Sequence, residues 1–257
     1  MTNLLFPEGA ALIVGGSGGI GRVIARQFAQ AGADVAVTYR SRAAEGIDAA
    51  KDVQNAGRRA AAYPADVRDL KGLETLMATA TREFGRVHSV VFAAGRVPEQ
   101  VHISKSKPEQ WKAAIEIETL GLLNVVHASL PHLRASGGGS YVHLSSAGQV
   151  SWANTDGLSI VPKAANDALI RGIAKEEGRF GIRANSVLVG IIEAGMFLEF
   201  ERDGTFDKGW KESALRNLAI KRWGRPEEIG DAAVFLASNK AGYITGQSIS
   251  VAGGYAL

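Results

Sequence analysis

Seven runs of five to seven mostly apolar residues alternate with segments of helical spacing, from Ala10 to Val251. The strand-length runs are Ala10–Val14, Asp34–Tyr39, Arg59–Tyr63, Ser89–Ala93, Gly139–Ser145, Ile182–Val187 and Gln247–Val251. Most are rich in Val, Ile and Leu with little alternation, which suits strands of a parallel sheet buried on both faces. Helices are expected near Ile20–Ala31, Ala43–Ala56, Leu70–Phe84, Pro108–Leu133, Val161–Arg179 and Pro226–Ala237. Strand–helix alternation of this kind requires right-handed crossovers. The expected fold is therefore an α/β, Rossmann-type, doubly wound sheet of about seven strands with helices on both faces. Linkers are short and repeats are absent, so 1–257 reads as one domain.

Composition narrows the function classes. A net charge of +3 without a basic run gives no reason to expect nucleic acid as a partner. With no cysteine, disulfides, thiolate catalysis and cysteine-ligated metals are excluded. That composition fits a reducing cytoplasm, the expected location. No uninterrupted apolar run approaches the ~20 residues that span a bilayer, so no membrane association is expected. The opening stretch MTNLLFPEGAALIVGG lacks a basic leader and reads as the approach to a first strand. His143 reads as a core or sheet-face residue, and no histidine–carboxylate spacing indicates a metal.

After the first run comes Gly15-Gly16-Ser17-Gly18-Gly19-Ile20-Gly21, followed by a helix. Glycines let backbone approach a diphosphate, whose charge then sits at the helix N-terminus. The strand–loop–helix context makes this more than a glycine-rich turn. The second run ends without an acidic residue for a ribose 2′-hydroxyl; Arg40 and Ser41 stand there, with Arg42 behind. A guanidinium suits a 2′-phosphate, so NADP(H) is the expected cofactor. The segment Ala194–Arg225, carrying Met196, Phe197, Phe200, Phe206, Trp210 and Trp223, is long enough to be a substrate lid or an ordinary pair of packing helices.

These features resemble the short-chain dehydrogenase/reductase family along essentially the whole chain. The family's T-G-x-x-x-G-x-G loop matches Gly15, Gly19 and Gly21, with Val14 in place of Thr. Its Asp-Val after the third strand matches Asp66-Val67, and its N-N-A-G turn is similar to Phe92-Ala93-Ala94-Gly95. The stretch RWGRPEEIGDAAVFLASNKAGYITGQSISVAGG is similar to its closing pattern. The resemblance implies a cofactor site comprising Gly15, Ser17, Gly18, Gly19, Ile20, Gly21, Arg40, Ser41, Asp66, Val67, Ala93, Ala94, Gly95, Lys163, Gly190 and Ile192. It implies hydride transfer between NADP(H) and a carbonyl or alcohol, and a homo-oligomer, dimer or tetramer.

In the family a serine orients the substrate oxygen, a tyrosine handles the proton and a lysine four residues later holds the nicotinamide ribose. Ser146 and Lys163 match the serine and lysine, but Ser159 stands where the tyrosine is expected. Glu118 stands where an asparagine supports a relay water, Val189 replaces the proline before Gly190, and Ala194 replaces a threonine. A serine is a far weaker acid than a phenol and cannot reach as far. Ser159 either holds a water or caps the helix that carries Lys163, with Pro162 in the first turn. Glu118 either pairs with Lys163 or is an exposed helix charge. Ser146, Lys163, Ser159 and Glu118 are the candidate catalytic residues, and no metal site is expected. The functional expectation is an atypical NADP(H)-dependent oxidoreductase acting on a small, apolar or ring-containing substrate. The alternatives are an isomerase, lyase or cyclase in the same pocket, or a non-catalytic NADPH-binding protein.

Overall fold

The computed structural model describes residues 4–255 and Leu257. Met1, Thr2, Asn3 and Ala256, part of the expected domain 1–257, lie outside the described residues. The apolar runs form β1 (Ala10–Val14), β2 (Asp34–Tyr39), β3 (Ala60–Pro64), β4 (Val87–Phe92), β5 (Gly139–Ser146), β6 (Ile182–Val189) and β7 (Ser248–Val251). They join in one parallel sheet of order β3-β2-β1-β4-β5-β6-β7. Every residue of β1 and β4 is buried, which is why these central strands show no polar alternation.

Neighbouring residues of a strand point to opposite faces, and each face has its own core. On one side Leu12, Val90 and Tyr141 pack against α3 (Leu70–Phe84), α5 (Gly121–Ala135) and α6 (Gly157–Glu177) through Met77, Leu122 and Ile170. On the other, Ile13, Val35 and Val142 meet α1 (Gly19–Gln30), α2 (Ala43–Asn55) and α9 (Pro226–Ala237) through Phe28, Val53 and Ile229. The order of connection reverses between β1 and β4, which opens a crevice at the carboxyl ends of the strands, the usual ligand position in such sheets.

Three expectations need correction. The predicted helix Pro108–Leu133 is α4 (Pro108–Ile115) and α5, joined by a π turn over Glu116–Leu120, and it runs on to Ala135. This continuous Pro108–Ala135 stretch is long and apolar enough to cross a membrane by length and composition, unlike any uninterrupted apolar run; here it packs on the sheet. The helix expected from Val161 begins at Gly157, so Ser159 is inside its first turn and Asp156 is its N-cap. Pro162 therefore lies in the helix body, where its missing N–H leaves the Leu158 carbonyl without the usual partner.

Candidate active site

Three strand ends and the start of α1 build the phosphate end. Gly15 has φ of 86°, a conformation glycine adopts freely, and a Cβ there would stand 2.7 Å from the Ala94 nitrogen. Its N–H donates to Thr38 Oγ1 at 3.0 Å, tying the loop to β2. The N-cap of α1 is Gly18, which has no side chain to accept the first-turn N–H groups, and the first turn carries no acid. Those donors are thus available to an anion. The Arg42 guanidinium lies 3.7 Å from where a Gly18 Cβ would be. This cradle suits a dinucleotide diphosphate.

Arg40 and Ser41 are exposed at the end of β2, beside the loop. Asp66 is engaged by Arg68, which donates from its backbone N at 3.0 Å, from Nε at 2.9 Å and from a terminal nitrogen at 2.5 Å. That side chain is the main force pulling the Asp66 carboxyl down to about 2; partial burial opposes it, while the Arg68 amide and the Arg40 charge add to the pull. Val67 is buried, and its carbonyl accepts from Asn124 Nδ2 at 2.9 Å. The Ala93 N–H donates to the Val14 carbonyl at 2.9 Å, which holds the β4 turn behind Gly15.

The opposite end is built from buried side chains. Lys163 Nζ donates to Glu118 Oε1 at 2.9 Å and to Ser159 Oγ at 3.4 Å. Only 2% of Glu118 and 8% of Lys163 is exposed, so of the two readings of Glu118 the ion pair holds. Ser159 spends its hydroxyl on Lys163 one helical turn away, which overturns its reading as a cap. The π turn places Glu118, and its carbonyl accepts from Asn166 Nδ2 at 3.1 Å. Gly95 leaves room for the carboxylate: a Cβ there would stand 2.7 Å from Glu118 Oε1. Glu118 Oε2 is buried without a partner among the described residues.

Behind this pair Asn166 Nδ2 lies 3.3 Å from His143 Nε2, and His143 Nδ1 lies 3.1 Å from Asp167 Oδ1. Burial pushes the Asp167 carboxyl up, but hydrogen bonds, from His143 first and with Ser145 and Gln149 among the others, outweigh it and hold the group below its ordinary value. His143 is therefore a core residue, as read from its position, and it steadies the strand that ends in Ser145 and Ser146. Ser146 Oγ accepts from the Gly148 N–H at 3.1 Å.

A cavity of about 550 Å³ brings Ser146, Ser159, Lys163, Ile20, Gly190 and Ile192 together. Glu118 lies behind Lys163, and the phosphate-loop glycines and Ala93–Gly95 stand outside the lining. The outer wall is the aromatic segment, folded as α7 (Met196–Arg202) and α8 (Lys208–Arg216). Phe206 and Trp210 stack with centroids 3.5 Å apart, and Phe197 and Phe200 tilt against Phe206. These four aromatic side chains border the cavity. The segment leaves the glycine loop at Gly195, packed so closely on it that a Cβ on Gly19 would stand 2.8 Å from the Gly195 nitrogen.

Several lining residues escaped the sequence reading: Gln100, Ser145, Trp152, Asp156 and Tyr255. Asp156 carried a signal, three residues before Ser159, but an acid there reads as a helix cap. Of the five tyrosines only Tyr255 borders the cavity, and its hydroxyl donates to the Ser151 carbonyl at 3.1 Å. Tyr141 is buried in the core against α5, with its oxygen 2.7 Å from Ser129 Oγ.

The family profile described as enoyl-(acyl carrier protein) reductase matches residues 14–256. The chain is 32% identical over 251 residues to a cis-4-hydroxycyclohexanecarboxylate dehydrogenase of Sinomonas cyclohexanicum, covering 97% of each protein. Carveol dehydrogenase of Mycobacterium avium, solved in complex with NAD, aligns with a TM-score of 0.90 at 27% identity, over 96% of this chain and 97% of that one. L-Sorbose reductase of Gluconobacter frateurii, complexed with NADPH and L-sorbose, aligns with a TM-score of 0.89 at 27% identity over 99% of both chains.

Proposed function

Because the chain belongs to the short-chain dehydrogenase/reductase family, whose matched relatives are oxidoreductases, we propose that it is an NADP(H)-dependent oxidoreductase for a small, apolar or ring-containing substrate. One observation carries this reading: a single cavity joins Ser146 and Lys163 to a wall of lid aromatics. When bound, the reduced dinucleotide supplies a hydride. The glycine loop and the N-terminus of α1 hold its diphosphate, and Arg40 with Arg42 meets a 2′-phosphate. Solved relatives with NAD and with NADPH both exist, so the preference rests on these arginines and on the lack of an acid at the end of β2.

Lys163 is the residue placed to bind the nicotinamide ribose, with its Nζ held 2.9 Å from Glu118 Oε1. Ser146 orients the reacting oxygen from the strand end, while the Phe206–Trp210 stack excludes water and offers its faces to a ring. The active site is altered with respect to the family pattern, because Ser159 puts no phenol beside Lys163. Ring-containing substrates are also in the name of the cyclohexanecarboxylate relative. Self-association is part of the proposal: Ile115, Leu120 and Val161 leave apolar surface on the helices that flank Glu118 and Lys163. So is a reducing cytoplasmic setting, which suits a chain without cysteine.

The test follows the tryptophans, two of which, Trp152 and Trp210, border the cavity. Titration with NADPH is expected to change their fluorescence saturably and at lower concentration than NADH. Consumption of NADPH is then measured over cyclic ketones, enones and imines. A flat titration overturns every dinucleotide-dependent reading, and binding without turnover of any acceptor favours the non-catalytic one.

A further inference from the structure

Asp156 stands at the N-cap of α6, where a carboxylate ordinarily accepts first-turn N–H groups, yet its side chain makes no such bond. Its Oδ1 instead accepts from Gln100 Nε2 at 2.9 Å, and the residue borders the cavity together with Ser146, Ser159 and Lys163. Gln100 is itself held in place. Its Oε1 accepts from Thr155 Oγ1 at 3.1 Å, while the Val101 N–H donates to the Thr155 carbonyl at 2.9 Å.

Thr155 has φ of 68°, and among the described residues it is the sole non-glycine residue with a positive φ. A β-branched residue is poorly suited to that conformation, and strain of this kind persists where the surroundings over-determine it, often at functional sites. From this strained turn the Thr155 hydroxyl, 2.5 Å from the Asn154 carbonyl, also stands 3.1 Å from Gln100 Oε1, and Gln100 in turn bonds the Asp156 carboxyl at the cavity wall.

We propose that Asp156 is the proton donor of this cavity, taking the role for which Ser159 is too short and too weak an acid. The inference rests on the oxidoreductase reading. In reduction of a ketone, hydride forms a C–H bond to the carbonyl carbon as the C=O π bond breaks toward oxygen. Asp156 in its acid form gives its proton to that oxygen, completing the alcohol. The bound nicotinamide would supply the hydride and its electron pair, and the Asp156 carboxylate recovers a proton from solvent. Oxidation of an alcohol runs the same exchange in reverse.

Electrostatics supports the placement. Burial pushes the Asp156 carboxyl above its ordinary value, and the Glu118 charge adds to that push, while the Gln100 bond and the Lys163 charge oppose it. Lys163 and Glu118 are the charged groups that act on it. A bare lysine in the same wall would hold Asp156 ionised. Glu118, bonded to Lys163 at 2.9 Å, counters that cation, so Glu118 is a positioning residue that favours the acid form of Asp156.

The test uses the full-length protein with carbon-13-labelled aspartate, saturating NADPH and a cyclic ketone. Asp156→Asn identifies the Asp156 signal by its loss, and that signal is expected to titrate above the other aspartates. The substitution is expected to slow single-turnover reduction by ~10²–10⁴-fold while leaving NADPH affinity within about twofold. It also carries a thermal signature. An acid whose pKa is raised on folding destabilises the folded state above its ordinary pKa, so Asp156→Asn should melt higher at neutral pH and lose that advantage in acid.

Gln100→Leu removes a bond to the charged form, and is expected to move the carboxyl titration and the matching limb of the rate profile to higher pH. A residue that merely braced the turn would move neither. Titration of Asp156 in the ordinary range overturns the proposal, as does full activity of Asp156→Asn, or a loss confined to Tyr255→Phe, the phenol in the same cavity. An inactive wild type overturns the oxidoreductase reading instead, so the two failures are distinct.

Discussion

The two ends of the crevice are built from different materials. At the phosphate end the ligand-facing groups are backbone N–H donors, freed by glycines, with charges such as Arg40 and the Asp66–Arg68 pair at the surface. At the reaction end buried side chains hold one another, Glu118 with Lys163, Asn166 with His143 and Asp167 with Ser145, and backbone enters mainly as the Glu118 carbonyl that accepts from Asn166. Charges near water interact weakly, whereas a buried charge depends on its partner. The first end thus tolerates loss of a charge and is sensitive to added atoms. The second tolerates neither loss nor addition without repacking.

The largest effect expected from this contrast is at Glu118. Glu118→Leu leaves Lys163 buried without its partner and should cost about 3–5 kcal/mol in chemical denaturation, with Glu118→Leu/Lys163→Met recovering most of that. If the single variant is as stable as wild type, the pair is not the keystone of its end. Next comes Gly15→Ala, which puts a Cβ at a positive φ and against the Ala94 backbone. A loss of about 1–3 kcal/mol and weakened NADPH binding by fluorescence titration are expected. Unchanged binding would mean that the loop does not hold the dinucleotide.

Arg40→Ala should weaken NADPH about tenfold or more while leaving NADH unchanged, as loss of a charge-assisted contact predicts. Equal loss for both dinucleotides would assign Arg40 a general rather than a 2′-phosphate role. The smallest effect is expected at Arg68. Arg68→Leu should cost no more than about 1 kcal/mol at neutral pH, since both side chains are well exposed. Folding lowers the Asp66 carboxyl to about 2, so the contribution is present above the ordinary carboxylate pKa and is lost as pH falls through about 2. Melting curves of variant and wild type should therefore converge over that acid range.

The same contrast explains what the sequence disclosed. Strands buried on both faces must be apolar, so β1 and β2 were legible to the residue, whereas β4 starts two residues before its expected bound, where His88 interrupts the apolar run. A loop whose backbone passes this close to its neighbours must be glycine-rich, so Gly15 to Gly21 declared itself. Glu118 was ambiguous because a one-residue widening of the helix, the π turn, decides which way it faces, and no local residue pattern announces that turn. Asp156 was invisible for a different reason. An acid before a helix is ordinary capping chemistry, and only the strained Thr155 and a glutamine 56 positions away turn it toward the cavity.

The contact of Gly195 with Gly19 imposes an order of events. On the proposed function, a molecule settling at the mouth of α1 meets the residue from which the aromatic segment departs. Sequential loading is then the expected order, dinucleotide first and acceptor second, with release in reverse. Product-inhibition patterns should show oxidised dinucleotide competing with reduced dinucleotide alone. The apposition of two side-chain-free residues thus becomes a kinetic ratchet, one that a single methyl group at residue 19 would jam.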